Sequence, residues 1–318
     1  MIGDTPRSTD AVSANRRAGF APARCVDWRR ESIAVAVSVL LMLGMLRAAQ
    51  AAESLDALTD SFIRIVERSE FGDKVPGVTK WRRPIKLALV GQPHPDQTDA
   101  ITVHVARLSR STGLVMEIVP PVSRPTSATA SSTPLPIDLN DPIAVLQLIY
   151  HLPAHGWSGY VISGREESIF IWRADLFVLF GDQRSIQRLG QVLRVEPAFQ
   201  AGIDSGSTPC FAHFHIEHGS HEIKYGFVVL RTDIPDWARR RCVHEELTQI
   251  LGLRNDIKGS EITLFDDLPM KRRTELTKYD WMFLETLYDP RMTPGLLGRD
   301  LRRKAREVIA ERMATLAD

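Results

Sequence analysis

Two adjacent glutamates, Glu245 and Glu246, are followed at helical spacing by Gln249, then by Gly252, Asn255 and Asp256, within the run CVHEELTQILGLRND (242–256). Two adjacent carboxylates can share a proton and act as an acid/base pair, and together with an amide one helical turn on they can offer oxygen to a cation. The first register to test begins at His244-Glu245. A zinc helix of the form HExxH needs a second imidazole four residues on, on the same face, with the glutamate as general base. That position is Thr248, so the register fails. At about 100° per residue, Val243, Leu247, Ile250 and Leu251 make an apolar stripe. His244 and Thr248 fall on one flank of it, and Cys242, Glu245, Glu246 and Gln249 on the other.

Shifted by one residue, the run has the spacing of the metzincin zinc helix, HExxHxxGxxH, with every histidine replaced. Glu246 stands at the general-base place. Glu245, Gln249 and Asn255 or Asp256 stand at the ligand places, and Gly252 where the chain must turn to bring the third ligand back. Catalytic zinc is held mainly by imidazole or thiolate, so an all-oxygen set suits calcium, magnesium or manganese better. Three readings stay open: a metal-free polar flank that hydrogen-bonds the following loop, a divalent-metal site of oxygen ligands, and an enzyme with Glu246 as base. The first is carried forward, with no cofactor expected and a divalent metal as the alternative.

A rival constellation is HFHIEHGSH (213–221). On a strand His213, His215 and Glu217 share one face, with Phe214 and Ile216 on the other, and His218 and His221 lie at the turn. His213 and His215 are therefore alternative metal ligands, set against the plainer reading of a solvated hairpin face. Phosphate loops, nucleophile elbows and Walker patterns are absent from the sequence.

The elements that must position these groups are legible by period and punctuation. Residues 54–70 read as an amphipathic helix started by a serine cap. Residues 84–92 read as a strand, 95–113 as a helix opened by proline and stopped at Gly113, and 114–120 as a second strand. The Pro/Ser/Thr stretch 120–136 cannot pack a core. The segment 121–172, with a helical period over 141–152, is treated as an insertion. Residues 174–181 return to strand and 184–193 to helix. Residues 210–217 and 222–233 flank a hairpin turn, and the motif helix spans 236–252. A further capped helix is expected within 275–295, and 296–318 is an Arg-rich amphipathic helix, read as a solvated surface helix.

The runs PCFA, CVHEELTQILGLRND, LFDD and LTKYDWMFLETLYDPRMTPG together resemble a bacterial family known as domain of unknown function 2927, over roughly residues 80–300. The resemblance implies a zincin-like fold without implying proteolysis. The fold class expected is therefore α/β (α+β), a mixed sheet packed on an active-site-type helix. Its boundaries are a leader over 1–51, an N-terminal helix and linker over 52–80, a zincin-like domain over 81–295, and the C-terminal helix over 296–318.

The front end bears on compartment. Arg24, Arg29 and Arg30 precede a 14-residue apolar run, Ile33–Leu46, and then the small-residue site Ala49-Gln50-Ala51. This is the pattern of a secretory signal peptide cleaved after Ala51. The run is shorter than the ~20 residues of a spanning helix, so an N-terminal membrane anchor is the alternative. The remaining chain carries 33 basic and 35 acidic residues, which makes no electrostatic case for nucleic acid. It keeps two of the three cysteines, Cys210 and Cys242, expected to pair in an oxidising compartment. The function expected is a non-catalytic, pseudopeptidase-like binding protein of the cell envelope, periplasmic or secreted, with an extended peptide or an envelope protein as partner. A metal-dependent hydrolase and a structural envelope component are the alternatives.

Overall fold

A computed structural model describes residues 53–67, 77–119, 122–124, 159–162, 169–172, 174–217, 219–258, 260, 262–266 and 273–317. The expected leader, the 141–152 helix and His218 lie outside the described residues.

The first helix, α1 (Leu55–Glu67), starts where Ser54 Oγ accepts the Ala57 amide at 3.1 Å. Strand β1 (Ile85–Val90) is apolar and largely buried, as a central parallel strand must be. Helix α2 (Pro95–Thr112) opens on proline behind His94, whose backbone amide donates to Gln97 Oε1 at 3.0 Å, and closes at Gly113 with φ 71°. After β2 (Met116–Ile118), the 121–172 segment contributes β3 (Val122–Arg124), β4 (Gly159–Ile162) and β5 (Ile169–Trp172). These form a small antiparallel sheet in the order β3-β5-β4. Strand β6 (Leu176–Gly181) leads to α3 (Gln183–Leu193), capped by Asp182, and to α4 (Pro197–Ser205). The hairpin strands are β7 (Cys210–Ile216) and β8 (Ile223–Arg231). The motif helix α5 (Asp236–Gln249) follows Pro235, and α6 (Lys278–Leu287) and α7 (Gly298–Ala317) complete the chain.

The main sheet is mixed, in the order β2-β1-β6-β8-β7. Strands β2, β1, β6 and β8 run parallel, and β7 lies antiparallel to β8 at the edge, with Cys210 opposite Leu230 and Phe214 opposite Gly226. Alternation along the strands sends side chains to two cores. Val178, Val228, Leu230, Cys210 and Ala212 join the core built by α1, α2, α5, α6 and α7. Phe177, Phe211, Phe227 and Val229 face α3 and α4. This is the α/β (α+β) class with a mixed sheet over the motif helix.

Two expected flanking helices are more than flanks. Leu58, Phe62 and Ile65 of α1 and Leu301, Ala305 and Ile309 of α7 are fully buried in the same core as the motif helix. Arg302 pairs with Asp60, and Arg306 with Asp56 at 3.0 Å, along their outer seam. The C-terminal helix, read from sequence as a solvated surface element, thus buries one face. The arginines mask this because all but Arg312, which reaches Glu285 of α6, occupy the outward side.

Cys210 and Cys242 form a disulfide, with their Cα atoms 5.8 Å apart, that ties the start of β7 to the middle of α5 across 32 residues of chain. Closing a loop of that length stabilises by about 4 kcal/mol in the chain-entropy account. Urea unfolding with and without a thiol reductant should show a loss of that size. Superimposable curves for the oxidised and reduced protein would contradict it.

Candidate functional site

Helix α5 is buried throughout its second half, from Cys242 to Gln249. Its apolar stripe of Val243, Leu247, Ile250 and Leu251 is fully buried, as the wheel requires. The polar flank is also inside: Glu245 is 8 % exposed, and Glu246 and Gln249 are 5 % each. Groups so placed need hydrogen-bond or charge partners.

Glu245 finds its partner one turn back. Arg241 Nε donates to Glu245 Oε2 and Arg241 Nη2 to Glu245 Oε1, both at 3.0 Å, in a two-pronged ion pair. The same Nη2 also donates to the carbonyls of Leu264, at 3.0 Å, and Asp266, at 2.9 Å. Burial by itself would lower the Arg241 pKa. The Glu245 carboxylate, with Asp256 and Asp266 beyond it, raises it above the usual guanidinium value. Arg241 thus joins the glutamate at the first ligand place to the loop that crosses the helix.

Gln249 and the post-helical residues close on one another. Gln249 Nε2 donates to Asp256 Oδ1 at 2.9 Å, and Asn255 Nδ2 to the Asp256 carbonyl at 2.8 Å and the Arg64 carbonyl at 3.3 Å. Three ligand-place residues therefore cluster, and these side-chain bonds run within the protein. Glu246, at the general-base place, is buried one turn after Cys242.

The turn expected at Gly252 is real, with φ 118°, and the helix ends before it at Gln249. A Cβ on Gly252 would sit 2.1 Å from the Thr79 carbonyl oxygen. Only glycine lets the segment 77–81 cross this closely. The crossing satisfies the open end of α5: Trp81 Nε1 donates to the Ile250 carbonyl at 2.9 Å, and Tyr288 Oη to the Leu251 carbonyl at 2.8 Å. Burial raises the Tyr288 phenol far above its usual range, so it stays a donor. Lys80, lowered to about 8 by burial, with Asp289 opposing and Arg82 adding, donates to the Leu287 carbonyl at 2.9 Å. Arg254 is 4 % exposed and donates to the carbonyls of Val66, at 2.6 Å, and Gly77, at 3.2 Å.

The loop 262–266 is pinned from α6. Asp280 accepts from the amides of Thr277, at 2.7 Å, and Leu264, at 2.9 Å, and from the Thr263 hydroxyl. Burial raises its carboxyl above the ordinary aspartate value, against the pull of those bonds.

His213 and His215 are not part of this arrangement. They share a side of β7 with Phe211, which packs toward α3 and α4, while Cys210 and Ala212 face α5. His215 lies over the Tyr225 ring, centroids 4.9 Å apart and nearly parallel. His221 adopts φ 56° in the turn. Among the described residues no group of three or more His, Cys, Asp or Glu side chains is gathered as a metal ion would require.

Sequence reasoning missed Arg241, although it carried a signal: an arginine four residues before a glutamate on a helix is a pairing position. It also missed His104 of α2, whose Nε2 lies 3.0 Å from Thr248 Oγ1, because no pattern in the sequence joins positions 104 and 248.

No helix among the described residues is long and apolar enough to cross a membrane, and the disulfide points to an oxidising compartment. Comparison with curated proteins and with solved structures returns no match. Comparison with family models does: over residues 56–307 the chain matches the one described as a protein of unknown function (DUF2927), and it belongs to that family.

Proposed function

We propose that this chain is a non-catalytic, pseudopeptidase-like binding protein of the cell envelope, which takes up an extended peptide along the outer edge of β7. Export through the 1–51 leader, with cleavage after Ala51, belongs to the same reading. The observation that carries it is the topology: β7 is the antiparallel edge strand of a sheet whose other four strands are parallel, and it is bridged to the motif helix through Cys210–Cys242. The same features support a zincin-like descent. Strand addition at such an edge draws affinity from backbone bonds and selectivity from alternate side-chain positions. The non-catalytic part rests on Glu245 and Gln249, whose bonds run to Arg241 and Asp256.

Neighbouring N–H groups on a strand point to opposite sides, so proline at two successive positions separates edge binding from folding. Of His213→Pro and Phe214→Pro, one removes an N–H directed at β8 and the other an N–H directed outward. Screened against arrays of unstructured peptides, the outward variant should remain folded and lose binding by at least tenfold. Full peptide binding by both folded variants would sink the edge-strand reading.

A further inference from the structure

On the other flank of α5 two imidazoles share a dry interface. His104 of α2 and His244 of α5 are 1 % and 7 % exposed, with ring centroids 4.5 Å apart. Thr248 donates its single hydroxyl proton to the His244 carbonyl at 2.6 Å, so its oxygen accepts from His104 Nε2 at 3.0 Å. His104 is thereby the Nε2–H tautomer, and its Nδ1 is a bare lone pair, buried and without a hydrogen-bond partner. His244 directs Nδ1–H at the Thr274 carbonyl, which fixes the opposite tautomer. Burial keeps both rings neutral. A proton added to His104 Nδ1 would make a buried donor with no acceptor, beside a second ring of the same kind.

The charged groups facing the pair come from each packed element. Arg107 of α2 lies over the Trp281 ring of α6 at 4.7 Å, and Trp281 in turn meets His104 edge-on. Arg240 comes from α5 itself, and Glu275 from the segment leading into α6. Burial first, then His244 and Arg107, holds His104 well below the usual histidine value. Burial lowers His244 too, against the Thr274 carbonyl and Glu275, with Arg107 and Arg240 adding to the lowering.

We propose that the His104–His244 pair is an acid-sensitive latch between α2 and α5. At pH 7 it is neutral and packed. In a mildly acidic medium, protonation drives the rings apart and loosens the helix that carries the candidate site.

The sign follows from the depressed histidines. The unfolded chain takes up protons first as the pH falls below about 6.5. Stability is therefore untouched at pH 7 and above, and is lost as the pH falls from there toward the folded-state values. Each histidine raises the unfolding constant by up to about tenfold per pH unit, and the pair by up to about a hundredfold.

The test uses His104→Gln/His244→Asn, in which each amide keeps the donated hydrogen bond but cannot be protonated. Urea unfolding of the chain at pH 7, 6 and 5 should show the wild type weakening steeply and the double variant losing most of that dependence. In the wild type, two histidine rings followed by NMR should titrate below pH 6.5. When they titrate, amide exchange in α2 and α5 should rise with them. The latch is refuted if the rings titrate at ordinary values without that rise. It is equally refuted if the folded double variant keeps the wild-type pH dependence, and the ring titration decides alone should that variant not fold.

Discussion

Replacing Arg241 with alanine is expected to destabilise the protein by about 3–5 kcal/mol, the range for stripping one partner from a buried ion pair. The size follows from what remains. The Glu245 side chain is 10 % exposed, and removing Arg241 strips both guanidinium bonds from this buried carboxylate. The carbonyls of Leu264 and Asp266 also lose a donor. The companion change, Arg241→Met/Glu245→Met, removes both charges and should recover most of the loss, since apolar replacement of a whole buried pair is often close to neutral. Chemical denaturation of the three proteins checks both statements. Equal losses for the single and double variants would mean that the pair is not what holds the loop.

Gly252→Ala should be nearly as damaging, at about 3 kcal/mol or more, because strain and overlap combine there. The φ of 118° is outside what alanine adopts comfortably, and the added Cβ meets a backbone oxygen, Thr79 O, that cannot swing away as a side-chain tip would. Gly113→Ala is the control. It also has positive φ, 71°, but nothing lies within 4 Å of its Cβ, so it should lose only about 1–2 kcal/mol. Thermal unfolding in which Gly252→Ala matches Gly113→Ala would show that the crossing of segment 77–81 is not tight. Because Trp81 and Tyr288 cap α5 at the same crossing, displacement there should also fray the helix carrying Glu245 and Gln249.

What was legible in the sequence was local. Pro235, Gly113 and the hairpin turn sit at the boundaries they announce, since each acts through its own backbone geometry. The cysteine pair was legible by parity. Helix α4 was not, because PAFQAGIDS has little amphipathic pattern and buries only Ile203. The strands within the 121–172 segment were too short and too far apart to announce their pairing. The helix expected within 275–295 ends at Leu287, since the chain there turns to send Tyr288 onto the end of α5. At the site, the ligand-place residues and Gly252 could be named from spacing alone. What packs around their helix could not, because Trp81, which reaches the Ile250 carbonyl, and His104, which reaches Thr248, arrive from other parts of the chain through folding.

The most direct test of the non-catalytic reading is the metal content of untagged protein, residues 52–318, purified without chelator. Glu246→Gln and Glu245→Ala/Gln249→Ala would be measured beside it by elemental analysis. The account predicts no stoichiometric metal in any of the three, with peptide binding at the β7 edge unaffected by Glu246→Gln. About one divalent ion per wild-type chain, lost in the Glu245→Ala/Gln249→Ala protein, would contradict it and make the oxygen-ligand hydrolase with Glu246 as base the reading to pursue.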